Sequence, residues 1–218
     1  MTDAIGTRPA KDELFDAFAR VAASLASGRR LEILDVLAQA PRSVEELAGS
    51  IGQSVANTSH HLRRLADDGL VDSKRAGRHV VYRLASDEVY RLWRALQDVT
   101  ASHPDDLDRL AIGYVGDRNA LDTIDATTLR ARLARGDDIV VIDVRPRVEY
   151  DAGHFEGAIP VPPEDLNSAL DRLPPTGEVV AYCRGEYCAY ADQAIRELRS
   201  RGRTASRLEG GFPDLRAV

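Results

Sequence analysis

The chain holds two cysteines, Cys183 and Cys188, and they close the short segment Cys183-Arg184-Gly185-Glu186-Tyr187-Cys188. Glu178 to Tyr182 reads as a strand leading straight into it, and Ala189 to Arg201 as a helix leaving it, with Ala191, Ala194, Ile195 and Leu198 on the apolar side. A cysteine at a strand end, followed by a tight loop and a helix N-terminus, sits where a thiolate is stabilised. Loop amides can point inward as a nest, and the helix dipole adds positive potential. Together they lower a thiol from its ordinary value of about 8.5 toward or below about 7. Cys183 is therefore expected to act as a nucleophile, with Arg184 placed to help hold an anionic sulfur donor.

Cys188 has two readings. As a resolving thiol it attacks a persulfide or sulfenate on Cys183 and closes a bridge; otherwise it is a small residue packing under the loop. A direct disulfide needs the two Cα atoms within about 7 Å, a distance the sequence does not give. In a reducing compartment a cysteine pair is more often reactive than a structural staple. No histidine lies near either cysteine, which argues against zinc. Position 189 is alanine, so the Cys-x5-Arg oxyanion loop of tyrosine phosphatases and some arsenate reductases is absent.

A second group of polar side chains gathers between residues 54 and 78. Ser43 with Glu46 forms a capping box that opens a short helix, Gly49 to Gln53 makes a turn, and Ser54 caps a helix from Val55 to about Asp68. Thr58, Leu62 and Leu65 face the core of that helix, which leaves Asn57, Ser59, His60, Arg63 and Arg64 outside. Two short strands follow about the turn Ala76-Gly77, carrying Arg75 and Arg78. Helix, turn, helix and hairpin wing place one helix in a DNA major groove. Asn57, Ser59 and His60 suit base edges, Arg63, Arg64, Arg75 and Arg78 suit phosphates, and Ser54 is expected to join them at the DNA. The competing reading makes the arginines a solvated face and His60 and His61 local hydrogen-bonding groups.

The elements that must position these residues divide the chain in two. Ahead of the second group lie two helices, one with Leu14, Phe15, Phe18, Val21, Ala22 and Leu25 on one face, the next with Leu31, Leu34, Val36 and Leu37, ended by Pro41. After the hairpin comes a helix bearing Val89, Tyr90, Trp93, Leu96 and Val99. Residues 101–120 read as a linker or a frayed helix end. Beyond them the pattern becomes strand–helix alternation, with apolar runs at 139–144, 158–161 and 178–182 of the buried parallel kind. The chain has 218 residues, enough for two small domains, with 44% apolar and 29% charged residues.

The net charge of −6 weighs against nucleic acid only if charge is spread evenly. From His60 to Arg94 there are 8 Lys or Arg against 5 Asp or Glu, a local basic face. No run of about 18 apolar residues appears, so no membrane partner is expected. The first residues lack the pattern of a secretory signal, and the expected location is cytoplasmic.

In GRRLEILDVL, SVEELAGSIG, SVANTSHHLRRLADDGLV and RAGRHVVYRL, in that order and spacing, the first half resembles the ArsR family of winged-helix repressors. The resemblance implies a homodimer built from the first and last helices and reading an inverted-repeat operator in double-stranded DNA. The cysteine pairs through which many members sense metals are missing from VEELAGSI. The last helix offers Asp87, Glu88 and a distant His103 but no histidine pair, so no metal site is expected. In VIDVRPRVEYDAGHFEGAIPVP, YCRGEYC and RLEGGFPDLR, the second half resembles the rhodanese family. That implies a Cys183 that takes a sulfane sulfur from a donor such as thiosulfate or a persulfide and passes it on, with Asp143, Arg145 and His154 organising loops.

The expected fold is thus two domains. Residues 1–100 form an N-terminal α+β winged helix-turn-helix, mostly α, 101–120 a linker, and 121–218 an α/β rhodanese-like parallel sheet with flanking helices. The expected function is a DNA-binding transcriptional regulator that handles or senses sulfane sulfur or thiol oxidation through Cys183, with no cofactor. The alternative is a sulfurtransferase whose winged helix is mainly a dimer scaffold, and a third reading makes the second domain an idle docking module.

Overall fold

A computed structural model describes residues 6–102, 104–118 and 121–216; His103 lies outside them. The chain divides after Gln97 into two units. In the first, α1 (Arg8–Leu25) and α2 (Gly28–Gln39) lead to β1 (Arg42–Ser43), α3 (Val44–Ser50), α4 (Val55–Asp67), β2 (Val71–Ala76), β3 (His79–Leu84) and α5 (Asp87–Ala101), the last running past the division. The capping box is present: Glu46 N donates to Ser43 Oγ at 3.3 Å, and Ser43 N to Glu46 Oε2 at 2.7 Å. Ser54 caps α4 through Asn57 N at 3.2 Å. These caps satisfy amides that a helix start leaves open. They fix the angle at which Leu62 and Leu65 enter the core beside Ile33, Leu34 and Leu47.

Two details depart from the sequence reading. β1 was not anticipated, since two polar residues carry no alternation, yet it pairs antiparallel with β3 to complete the sheet β1-β3-β2. The hairpin pairs Ala76 with His79, so its turn residues are Gly77 and Arg78 rather than Ala76 and Gly77. Gly77 has φ +62° and Arg78 does not share that sign, which is the glycine-first pattern of a tight two-residue hairpin. The shift puts Arg78 at the tip of the wing.

The second unit begins where a linker was expected. Residues 104–115 form a helix, α6 (Pro104–Val115), with proline at its first position, where a missing amide hydrogen costs nothing, and with Val115 buried at its end. Then come β4 (Thr123–Ile124), α7 (Ala126–Ala134), β5 (Ile139–Asp143), α8 (Arg147–Ala152), β6 (Ile159–Pro160), α9 (Leu166–Leu170), β7 (Glu178–Tyr182), α10 (Ala189–Ser200), β8 (Ala205–Leu208) and α11 (Phe212–Arg216). The five strands are all parallel, in the order β4-β8-β7-β5-β6. Side chains along β7 alternate between two cores: Val179 and Ala181, with Cys183 just beyond, pack with Ile195, while Val180 and Tyr182 pack with Leu129 and Leu208. β7 is central and pairs Tyr182 with Asp143 of β5. The loops leaving both strands therefore emerge side by side at the carboxyl edge, where parallel sheets place their sites.

Candidate functional site

Cys183 follows β7 and is buried, and Cys188 is the N-cap of α10. The Cα atoms are 6.2 Å apart and the two sulfurs are bonded. Cys188 N donates to Gly185 O at 3.2 Å, so the loop is a tight turn as well as a covalent ring.

The supports of this loop come from residues that sequence reasoning missed. Arg207, buried in β8, donates from Nη2 to Gly185 O at 3.0 Å and Glu186 O at 2.7 Å. Arg118, between α6 and β4, donates to Glu186 O and to Cys188 O, the latter at 3.2 Å. Both guanidiniums face Asp192, which is fully buried in the first turn of α10. One available signal was Asp192 itself, a carboxylate three residues before Ile195 on the apolar side of its helix. Arg118 carried none, because its partners, the Asp192 carboxylate and two backbone carbonyls, all lie about 70 residues away. Asp192 opposes negative charge at the N-terminus of α10, and the two arginines more than offset it.

On the other side of the loop stands the group around Asp143. Arg145 and Asp143 form a buried pair at 2.6 Å, Arg145 Nη2 also donates to Gly153 O at 2.7 Å, and the Tyr182 hydroxyl donates to Asp143 Oδ2. Burial, then the Asp143 charge, pushes the Tyr182 phenol well above its ordinary value, so it stays a donor. Phe212 lies against the Arg145 guanidinium, 4.0 Å from Cζ to ring centre, and its amide donates to Cys183 O at 3.0 Å. Gly211 is needed for that approach, because a Cβ there would overlap the Arg184 carbonyl. His154 stacks on Tyr150 at 3.9 Å and its Nδ1 is 3.0 Å from Tyr150 O. Arg184, expected to hold an anion, has Nε and Nη2 on the buried Glu149 carboxylate, with Nη2 to Oε1 at 2.6 Å. The structure makes it a brace between its loop and α8.

In the first unit, Ser54, Asn57, His60 and Arg63 are exposed on α4 and Ser59 is half-buried. Arg75 and Arg78 are exposed at the wing. Arg64 differs. Its Nε donates to Ser24 Oγ at 3.1 Å and its Nη2 meets Asp68 at 3.3 Å, so it ties α4 to α1. The Ser54 hydroxyl is likewise engaged in its cap. His61 is half-buried with Nδ1 unpartnered among the described residues, and burial, then Arg30, holds it below its ordinary value.

The model of bacterial regulatory proteins of the arsR family matches residues 27–73, and that of the rhodanese-like domain matches residues 125–217. Over 211 residues the chain is 39% identical to the HTH-type transcriptional regulator Rv0324 of Mycobacterium tuberculosis, covering 97% of this chain and 92% of that protein. The chain belongs to the ArsR family. It is an ArsR-family transcriptional regulator that carries a rhodanese domain after its winged helix. The winged-helix part of this ArsR protein is also 41% identical over 88 residues to the regulator NmtR of the same species, spanning 39% of this chain and 73% of that one. A protein of Allochromatium vinosum named Sulfurtransferase is 29% identical over 89 residues, spanning 41% of this chain and 82% of its own. No helix among the described residues is long and apolar enough to cross a membrane.

Proposed function

We propose that this regulator reads sulfane sulfur or thiol oxidation at Cys183 and transmits the outcome to DNA, the Cys183–Cys188 bridge being one of its two states. The supporting observation is a pair of sulfurs within bonding reach across one loop. The Cys183 thiolate attacks a terminal sulfur of a polysulfide, forming a persulfide and expelling the shortened polysulfide. The Cys188 thiolate then attacks Cys183 Sγ, forming the disulfide and releasing hydrosulfide, so the sulfane sulfur is the oxidant and none other is needed. Treating the reduced protein with polysulfide, then alkylating, is expected to leave both cysteines blocked together in the intact mass, as a disulfide or trisulfide. Full alkylation of Cys188 beside a sulfur-loaded Cys183 would reduce Cys188 to a packing residue.

In this proposal the DNA contacts are made by Asn57, Ser59 and His60 at base edges and by Arg63, Arg75 and Arg78 at phosphates, with Ser54 and Arg64 holding the helix that presents them. The exposed Phe15 and Phe18 of α1 and Val99 of α5 support a homodimer through the first and last helices, reading an inverted repeat. Replacing His60 and Arg63 together by alanine is expected to weaken operator binding roughly tenfold or more, about 1–3 kcal/mol, with sulfur chemistry unchanged. A mobility-shift titration at fixed salt measures it, and unchanged affinity would move the reading surface elsewhere. The likeness to the Sulfurtransferase of A. vinosum favours a second reading, a sulfurtransferase with the winged helix as scaffold. Turnover with no effect of loading on DNA affinity would select it.

A further inference from the structure

Two guanidiniums share one carboxylate beside the sulfur loop. Asp192 meets Arg118 Nε at 2.5 Å and Arg207 Nε at 3.4 Å, and its own side chain is fully buried. One carboxylate balances one positive charge. The charges of Glu186 and Glu209 reach Arg207 as well, and neutral acceptors carry the rest of the load, because a buried ion without compensation is costly. Those acceptors belong to the sulfur loop: the carbonyls of Gly185 and Glu186 for Arg207, and of Glu186 and Cys188 for Arg118. The crowding registers on Arg207, whose guanidinium is held below its ordinary value by burial first and by the Arg118 charge second. Of the two, Arg118 is the easier to release. Its side chain is 22% exposed against 7% for Arg207. It also stands on an irregular segment, whereas Arg207 lies in an interior strand.

From this arrangement we infer that Arg118 is a latch, docked while the Cys183–Cys188 loop is closed and released when the loop opens and its carbonyls turn. The inference rests on reading that pair as a reversible switch. Opening by a dithiol such as dithiothreitol transfers two electrons and two protons to the bridge, giving two thiols and a cyclic disulfide of the reagent. Arg118 closely follows α6, whose end is otherwise held by the burial of Val115 and by Arg196 Nη2 on Val115 O and Asp117 O. Release therefore loosens the helix that succeeds α5 in the chain, a covalent route toward the winged helix. Coupling is reciprocal: if closure favours docking of Arg118, docking favours closure.

The test is a redox titration of the full chain in dithiothreitol buffers without DNA, with bridged and open forms counted by alkylation and intact mass. Arg118→Ala is expected to make the bridge about tenfold easier to reduce, a rise of about 30 mV for a two-electron couple. Arg118→Lys, which keeps the charge but not the fork, falls between. Arg203→Ala, which removes bonds to the carbonyls of Pro174, Thr176 and Gly177 and touches neither the loop nor the Arg118 segment, stays at the wild-type midpoint. In the wild type, reduction is expected to speed amide exchange over Pro104–Val115 about tenfold. An unchanged midpoint in Arg118→Ala, or equal exchange in bridged and reduced wild type, overturns the latch. If the midpoint and exchange respond as stated while operator affinity does not, the latch stands and the sensing function fails.

Discussion

Replacing Cys183 by serine is expected to bring transfer of sulfur from thiosulfate to cyanide down to the level seen without protein. In the proposed chemistry the Cys183 thiolate attacks the outer sulfur of thiosulfate, forming a persulfide and expelling sulfite. Cyanide then takes that sulfur as thiocyanate and returns the thiolate. A hydroxyl at the end of β7 can make neither bond. The Cys188→Ser protein should keep turning over and hold its persulfide longer, because the thiol that discharges it as a disulfide is gone. Thiocyanate measured as its ferric complex decides the matter, and a wild-type rate in Cys183→Ser would remove this residue from the chemistry.

The second large effect is one of stability. Asp143→Ala leaves the buried Arg145 guanidinium without its carboxylate and removes the acceptor of the Tyr182 hydroxyl. Breaking a buried pair on one side costs about 3–5 kcal/mol, a large share of the stability of a small domain. Asp143→Asn, which keeps one acceptor oxygen but loses the charge and replaces the other oxygen by a donor, should cost less. Trp93, the single tryptophan, lies in the first unit, so its fluorescence follows that unit while circular dichroism follows both. In urea the dichroism transition of the second unit should move to lower concentration while the Trp93 transition stays. A second-unit transition within about 0.5 kcal/mol of wild type would mean that the pair contributes little.

What the sequence made legible follows a physical line. Ser43, Glu46 and Ser54 act on neighbours three residues away, so their caps were readable and are present. The apolar side of α10 was readable from its period, and Ala191, Ala194, Ile195 and Leu198 are all buried. β1 and β8 were not, because their two and four residues include charged side chains that only long-range pairing explains. Arg207 looks like a surface residue in ASRL and is instead buried against the loop. α6 was read as a linker or a frayed helix end because its aspartates and glycine hide a helix anchored by Val115. Near the cysteines the local order strand–loop–helix was plain, whereas the brace of Arg184 on Glu149 and the clamp by Arg118 join residues 35 and about 70 positions apart. No local pattern announces them.

In the proposed function the state of Cys183 alters DNA binding. An operator selected from random-sequence DNA, titrated at fixed salt with the reduced protein and with the polysulfide-treated protein, tests it most directly. Allosteric coupling of ordinary size, about 1–3 kcal/mol, predicts affinities that differ about 5- to 150-fold, a difference that disappears in Cys183→Ser. Equal affinities, with intact mass showing the treated protein fully sulfur-loaded or bridged, would contradict the claim.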